Sequence, residues 1–272
     1  MPRLQNTFDR LLAAFTFFTR LPWWKIRQVD GECFRHAVDY WPFAGWITGG
    51  TMALTFAIAV QVLSVPYAIL LAIIARILLT GALHEDGLAD FFDGMGGGTS
   101  RDRVLQIMKD SHIGKYGVLG LIVYFIFFYN AMQELPVIYL RQSMQEGFSN
   151  PILLTSTMIL TADIWAKSCA SLLILYLPYA RQEEESKAHV IYTPMQKGWH
   201  ALRILVAMLP CAALWLYMRT MPHPFLFIIP VLVVGILILY MYHRIQGYTG
   251  DCCGATFLFC EASIYLCFLL VE

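Results

Sequence analysis

Residues 84–94, HEDGLADFFDG, concentrate acids directly after the long apolar run PYAILLAIIARILLTGAL. If the helix predicted for that run continues through 94, Asp86, Asp90 and Asp93 lie at i, i+4 and i+7, within an arc of roughly 60°. Like charges this close raise one another's pKa values unless a cation neutralises them. Because Mg²⁺ binds carboxylate oxygens together with substrate phosphate oxygens, the spacing predicts a magnesium site. The alternative is a solvated helix end. Glu85, about 100° away from Asp86, is expected to take no part in either.

A glycine-rich and then basic segment follows the acids, GMGGGTSRDRVLQIMKD at 94–110. We expect its glycines, with Gly96 and Gly97 at the centre, to form a loop whose backbone N–H groups approach an anion. Cations that suit phosphate oxygens come next: Arg101, Arg103 and Lys109. Carboxylates, glycines and bases in this order are typical of a diphosphate site, although no Walker motif is present. A flexible turn followed by an amphipathic surface helix is the alternative.

Other charged residues lie inside or beside apolar segments. Asp251 comes near the start of the last apolar run, where it suits the helix dipole whether or not it has a further role. Asp163 and Lys167 are spaced i, i+4 in the fourth run, which predicts mutual neutralisation. Glu261 lies deep within the last run, and an acid in hydrocarbon is a functional hypothesis by default.

The composition indicates a membrane protein. The 272 residues are 58% hydrophobic and 14% charged, whereas soluble proteins carry about 25% charged residues. Basic and acidic residues balance at 19 each, so the chain has no basic footprint for nucleic acid. The cysteines lie mostly in apolar runs without paired ligand spacing, and we interpret them as small hydrophobes.

Apolar runs of about twenty residues predict an all-α, polytopic helical bundle with about seven transmembrane helices. The expected spans are 41–63, 65–83, 117–134, 151–177, 200–218, 223–243 and 252–271. Residues 1–36 resemble an amphipathic segment on the membrane surface rather than a signal peptide. We therefore expect one integral membrane domain, 1–272, in contact with membrane lipid.

Basic residues cluster in alternate connections, which by the positive-inside rule predicts a cytoplasmic N-terminus. The segments 84–116, 178–199 and 244–251 are then cytoplasmic too, so the polar, glycine-rich stretches share one side of the membrane. Gly45 and Gly49 have the small-xxx-small spacing that allows close helix packing, within the chain or between copies.

Six segments together carry a family resemblance. They are FFTRLP (17–22), WPFAGWITGG (41–50), HEDGLADFFDGMGGG (84–98), RDRVLQIMKDSHIGKYGVLGL (101–121), YLPYAR (176–181) and GYTGDCCGA (247–255). The ordered set resembles the cobalamin synthase family, the adenosylcobinamide-GDP ribazoletransferases. In that family a ribose hydroxyl of α-ribazole, or of its 5′-phosphate, attacks the diphosphate of adenosylcobinamide-GDP and releases GMP. The resemblance implies Mg²⁺ as cofactor and the cytoplasmic membrane as location.

Site residues are also implied by the resemblance. The family's acidic motif falls on Asp86, Asp90 and Asp93, which implies that these three bind Mg²⁺ and serve catalysis. An alcohol that attacks phosphorus needs either metal activation or a general base, and one of these aspartates or His84 is a candidate to take the proton. Further implied contacts to substrate or phosphate are Arg103, Lys109, Asp110, Ser111 and Asp251. Association with a second copy or with other corrinoid-pathway enzymes is compatible with the sequence.

The chain departs from the family's pattern at several positions. Ile164 stands where relatives carry an arginine before the tryptophan of the fourth span, and Lys167 follows it. Leu258 occupies the first of two positions that hold glutamates in relatives. The loop at 182–190, QEEESKAHV, lacks the glycines that usually follow YAR, and Glu85 replaces an apolar residue.

Two other functions fit parts of the sequence. A CDP-alcohol phosphotransferase also uses aspartate motifs and metals, but Asp90 stands where its D-G-x-x-A-R pattern requires the chain to continue with A-R.

An ion-coupled transporter could use Asp163 and Glu261 near the midplane. Against it, the densest polar clusters lie at the ends of spans.

Overall fold

The computed structural model describes residues 2–146, 150–181, 191–193, 197–219 and 222–270. Within these ranges the chain forms eleven α-helices. They are α1 (Pro2–Phe18), α2 (Trp41–Ala59), α3 (Val65–Thr80), α4 (Leu83–Gly97), α5 (Arg101–Lys109), α6 (Lys115–Glu146), α7 (Pro151–Ala170), α8 (Leu173–Tyr176), α9 (Lys197–Tyr217), α10 (Phe225–Ile245) and α11 (Gly250–Leu270). Two 3₁₀ helices, Trp23–Lys25 and Gly31–Tyr40, join α1 to α2. The only β-type contact in the described ranges is an isolated bridge between Tyr179 and Tyr248.

Six helical segments among the described residues are long and apolar enough to cross a membrane, and a bent pair raises the number to seven. The six are Gly31–Ala59, Lys115–Pro136, Pro151–Tyr176, Lys197–Tyr217, Phe225–Ile245 and Gly250–Leu270. Such segments satisfy their backbone hydrogen bonds internally, as hydrocarbon requires. The protein is therefore an all-α, multi-pass membrane protein, and the predicted fold class is confirmed.

The bent pair is α3 and α4, which meet at an angle of 87°. Gly81 and Ala82 both adopt the left-handed region, with φ of 67° and 59°, and their N–H groups donate to the Ile77 carbonyl. This left-handed C-terminal cap ends α3. The prediction of one continuous helix through residue 94 is therefore wrong. The acids nevertheless share a face, because Asp86, Asp90 and Asp93 all lie within α4.

The predicted glycine loop is also different in the structure. Helix α4 runs through Gly97, so the amides of Gly96 and Gly97 belong to a helix and only Gly98 closes it. A Cβ added to Gly94 would lie 2.5 Å from the Met108 side chain, and one on Gly96 would lie 2.8 Å from the Tyr116 ring. These glycines therefore let α5 and α6 approach α4, and the loop prediction for 94–98 is wrong.

Helices α2 and α7 pack closely through the predicted pair of small residues. A Cβ on Gly45 would lie 2.8 Å from the Ile164 side chain, and one on Gly49 would lie 2.7 Å from the Cβ of Asp163. The small-xxx-small pair therefore packs α2 against α7 of the same chain.

Helix α1 begins the chain and packs on the bundle with one face. It buries Leu12, Ala13, Ala14 and Phe18, while Trp24, after its end, is about half exposed. The helical and amphipathic character of this segment is confirmed. Its position in the membrane interface stays a prediction.

Candidate active site

A cavity of about 120 Å³ lies where α1, α2, α4 and α11 meet. Polar residues from three parts of the chain reach it: His84 and Asp86 from α4, Arg181 after α8, and Asp251 from the first turn of α11. Asp86 is exposed at the mouth, whereas Asp251 and His84 are buried. We call this space the aromatic cavity because of the rings that line it. It brings together three residues that the sequence singled out, His84, Asp86 and Asp251.

Three of these rings lie nearly parallel. The Trp41 ring is stacked on Phe18 with centroids 4.9 Å apart and on His84 with centroids 5.6 Å apart, at interplanar angles of 10° and 11°. His84 also meets the Phe257 ring at 4.7 Å. Neither His84 Nε2 nor Trp41 Nε1 has a hydrogen-bond partner within the described part of the chain. These rings therefore form a buried layer behind the cavity, with almost no surface of their own facing it, and the two unpaired nitrogen atoms lie within that layer.

Small residues hold α4 and α11 close together beside this cavity. A Cβ on Gly87 would lie 3.1 Å from the Cα of Asp251, and one on Gly254 would lie 3.2 Å from the His84 carbonyl oxygen. The backbones therefore almost touch at Gly87 and Gly254. This close approach brings the α4 and α11 acids to the same cavity.

A second cavity, of about 390 Å³, lies at the other end of α4. We call it the polar cavity, since Asp93, Arg103, Asp110 and Lys115 line it together with Gly97. The Asp110 carboxylate accepts hydrogen bonds from the backbone N–H of His112, at 3.0 Å, and pairs with its imidazole, at 2.7 Å. These contacts lower the pKa of Asp110 and keep it ionised. The polar cavity therefore mixes both signs of charge, as a site for a metal-bound phosphate does.

Asp93 has a clear structural task. Its carboxylate accepts hydrogen bonds from the backbone N–H groups of Gly114, at 2.7 Å, and Gly117, at 2.9 Å. These are unpaired amides at the start of α6, and a carboxylate there is favoured by capping and by the helix dipole. Asp93 thus fixes α6 against α4. A metal ion bound by Asp93 would have to share the carboxylate with these two amides.

Three arginines fasten the segments around the site through backbone carbonyls. Arg101 donates to Ile245 and Ala180, Arg181 to Leu105, and Arg244 to Met95 and Gly98. The sequence suggested Arg101 as a phosphate ligand. Its guanidinium instead donates hydrogen bonds to backbone carbonyl oxygens. Arg181 both fastens α5 and lines the aromatic cavity.

The remaining predicted contacts lie apart from these cavities. Lys109 and Ser111 are exposed at and just beyond the end of α5 and line neither cavity, and Gly96 lies against the Tyr116 ring. Asp90 is buried one turn along α4 from Asp86. The loop departure at 182–190 lies outside the described residues.

A buried cluster of charges lies deeper in the bundle. Arg76 of α3 is 2.5 Å from Glu261, 3.8 Å from Glu85 and 3.9 Å from Asp163, and Lys167 pairs with Asp163. All five are buried. The predicted Asp163–Lys167 pair is confirmed. Glu85 is not a bystander at the surface but faces Arg76, and Arg76 itself was not singled out from the sequence.

A further hydrogen-bonded chain has the residue types of a nucleophilic triad. Ser171 Oγ is 3.0 Å from His200 Nε2, and His200 Nδ1 is 3.1 Å from Asp39 Oδ1. All three are buried, and the Ser171 hydroxyl donates to the Ser168 carbonyl at 2.6 Å. The chain ties the end of α7 to α9 and to the 3₁₀ helix before α2, and it offers a substrate no access.

The carboxylates supply only part of a coordination shell for the predicted Mg²⁺. Across the ranges that the structure describes, no three His, Cys, Asp or Glu side chains lie close enough to hold a metal ion. Mg²⁺, however, is usually bound by one or two carboxylates together with substrate phosphates rather than by a full protein cage. Asp86, which is exposed at the aromatic cavity, is such a carboxylate. The residues therefore fit a Mg²⁺ that arrives with a diphosphate.

Fold and site together define a class of protein: a multi-pass helical membrane protein whose carboxylates and arginines line cavities beside the ends of its helices. Comparison with known proteins narrows this class. The chain belongs to the Cobalamin-5-phosphate synthase family, whose family model matches residues 10–269.

Similar proteins match this chain over its whole length. The Adenosylcobinamide-GDP ribazoletransferase of Shewanella piezotolerans is 34% identical over 272 residues, covering 100% of this chain and 98% of the relative. Proteins of the same name from Shewanella amazonensis and Shewanella woodyi are 32% and 34% identical, covering 100% and 98% of this chain and 98% and 97% of the relatives. No solved structure matches the chain.

Proposed function

We propose that this protein transfers the corrinoid phosphate of adenosylcobinamide-GDP to α-ribazole, or to its 5′-phosphate, and releases GMP. Full-length relatives with that name support the proposal. The structural observation that carries it is the aromatic cavity, where Asp86, Asp251 and Arg181 meet at one opening.

The atoms of the reaction identify the phosphorus that is attacked. The product keeps the phosphate next to the corrinoid, and GMP keeps the phosphate next to guanosine. The ribose oxygen therefore forms a bond to the corrinoid-bearing phosphorus, and the bond from that phosphorus to the bridging oxygen breaks. The hydroxyl proton must go to a base, and the leaving GMP gains a negative charge.

The acids of α4 and α11 suit the two needs of this step. Asp86 would hold Mg²⁺ together with diphosphate oxygens, and the ion would neutralise charge on the diphosphate and on the leaving GMP. We assign proton acceptance to Asp251, which faces the same cavity as Asp86. Arg181 and Arg103, one at each cavity, have the geometry to bind phosphate oxygens.

Helix α4 connects the two cavities. Asp86 at the aromatic cavity and Asp93 at the polar cavity are separated by seven residues, or roughly 10 Å along a helix axis, with Asp90 between them. This arrangement favours positioning of the two substrates as the main source of rate enhancement.

Release of GMP by the purified protein tests the proposal. With adenosylcobinamide-GDP, α-ribazole and Mg²⁺ present, we expect GMP to form, and we expect Asp86→Asn to reduce kcat by roughly 100-fold or more. Asp102→Asn is the matched control, since Asp102 is an exposed α5 acid that lines neither cavity. Normal turnover by Asp86→Asn would contradict the assigned site. An ion-coupled transporter would release no GMP at all, and a CDP-alcohol phosphotransferase would require a CDP-linked donor.

We also propose that the site faces the cytoplasm, in the cytoplasmic membrane. The basic connections between spans support this orientation. Labelling of an introduced cysteine at His112, from one side of sealed vesicles, measures it; protection from the cytoplasmic side would contradict it.

A further inference from the structure

We propose that Arg101 is a positioning residue, which holds Arg181 at the mouth of the aromatic cavity without binding substrate itself. This inference rests on the proposed function, because that function gives Arg181 a phosphate to bind. It extends the function by assigning a task to a side chain at the start of α5 that lines neither cavity.

The hydrogen bonds of Arg101 occupy every nitrogen atom of its guanidinium. Nη2 donates to the Ala180 carbonyl at 2.7 Å, Nε donates to the Ile245 carbonyl at 3.1 Å, and Nη1 pairs with Asp102 at 3.3 Å. A phosphate ligand would have to compete with these acceptors. Leaving a partly buried carbonyl group unpaired is costly, so the guanidinium is better suited to hold the backbone than to bind substrate.

The two carbonyl groups belong to segments that meet beside the aromatic cavity. Ala180 directly precedes Arg181, and its N–H donates to the Tyr248 carbonyl at 2.8 Å. Ile245 is the last residue of α10, where carbonyl groups lack helical partners and a cationic side chain is favoured. Arg101 therefore joins the segment that carries Arg181 to the end of α10.

Arg181 makes the return contact to the same helix. Its Nη2 donates to the Leu105 carbonyl at 2.8 Å. Helix α5 thus donates to the segment 178–181 through Arg101 and accepts from it about one helical turn later. Two contacts in opposite directions restrict both the place and the orientation of the segment. Because α5 also presents Arg103 to the polar cavity, one helix holds both arginines that we propose to bind phosphate.

Steady-state GMP release by the purified protein tests the positioning role. We expect Arg101→Met to lower kcat/KM roughly 10- to 100-fold, because small displacements of a binding group reduce rates by such factors. Arg101→Lys should recover no more than about threefold, since an ammonium group lacks the planar fork that meets two carbonyl groups. Recovery of roughly tenfold or more would indicate a positive charge that binds phosphate directly, and it would overturn the inference.

A double-mutant cycle shows whether Arg101 acts through Arg181. If it does, the variant carrying both Arg101→Met and Arg181→Met should have a kcat/KM within about threefold of Arg181→Met alone, because the side chain to be positioned is already absent. Losses that multiply in the double variant would show that the two arginines act independently, and they would contradict the inference.

Hydrogen exchange measured by mass spectrometry reports on the segment without turnover. In Arg101→Met, the amides of Ala180 and Tyr248, which join the two segments, should exchange roughly tenfold faster or more. Arg203→Met is the matched control. Arg203 also donates to a backbone carbonyl and a side chain but lines neither cavity, so its variant should keep both the exchange rates and GMP release within about twofold.

The two measurements separate this inference from the proposed function. Unchanged amide exchange in Arg101→Met would show that the segment does not depend on this side chain, and normal kcat/KM in the same variant would show that its contacts serve stability alone. Either result would overturn the inference. Failure of the wild-type protein to release GMP would instead contradict the proposed function, and amide exchange would still report how Arg181 is held.

Discussion

Arg76 holds together the buried charges of the bundle, and its removal is the sharpest test of how they are balanced. Its guanidinium is 2.5 Å from Glu261 and within 4 Å of Glu85 and Asp163, and it lies over the Phe128 ring at 5.0 Å. We therefore consider the change Arg76→Met, which keeps an unbranched apolar side chain but removes the charge.

The expected loss of stability follows from the number of buried charges of each sign. The cluster has three acids, Glu85, Asp163 and Glu261, and two bases, Arg76 and Lys167, so it carries one excess negative charge. Arg76→Met leaves three acids facing Lys167 alone. Removing one partner of a buried ion pair costs about 3–5 kcal/mol, out of a total stability of about 5–15 kcal/mol. The added change Glu261→Gln restores one excess acid and should recover at least about 2 kcal/mol.

The free energy of unfolding can be measured by titrating detergent-solubilised protein with SDS and following tryptophan fluorescence. Arg103→Met, on the exposed face of α5, is the control and should change stability by less than about 0.5 kcal/mol. A loss below about 1 kcal/mol in Arg76→Met would refute the reasoning. So would a double variant no more stable than the single one, because the acids would then not be sharing the charge of Arg76.

Two further predictions concern packing and the buried hydrogen-bonded chain. Gly49→Ala should destabilise the protein by about 1–3 kcal/mol, since its Cβ would lie 2.7 Å from the Cβ of Asp163, whereas a Cβ on Gly50 meets nothing within 4 Å; equal thermal melting of the Gly49→Ala and Gly50→Ala variants would contradict this. Ser171→Ala should keep GMP release within twofold while losing about 1–3 kcal/mol of stability, because His200 loses a buried partner. Loss of turnover in a folded Ser171→Ala variant would show a chemical role instead.

The helices were predictable because the signal for them is local. Apolar runs of about twenty residues place the spans, and the spacing of Gly45 and Gly49 anticipates a close helix contact. The bend before α4 was not predictable in the same way. Gly81 is an ordinary signal for the end of a helix, but the left-handed conformation of Ala82 has no signature in the residue type. A reader of the sequence who does not know the Ala82 conformation therefore expects one straight helix from the apolar run through the acidic segment.

Contacts distant in sequence limited the prediction of the site. The spacing in α4 correctly placed three acids on one face, yet it could not show that Asp93 caps α6. Arg76 could not be singled out, because its partner Glu261 is 185 residues away. Nothing in the sequence singled out Trp41, whose ring is stacked on Phe18 from α1 and on His84 from α4. Periodicity describes one helix, whereas these roles depend on several.

The aromatic cavity is assembled from both ends of the chain, with Phe18 from α1 and Asp251 from α11. Translation produces the N-terminal part first, so Phe18 and Trp41 enter the membrane environment long before their counterparts on α11 exist. A nascent chain still attached to the ribosome therefore has the ring stack but not the second acid. Substrate binding at this cavity would accordingly report that insertion of the last span is complete.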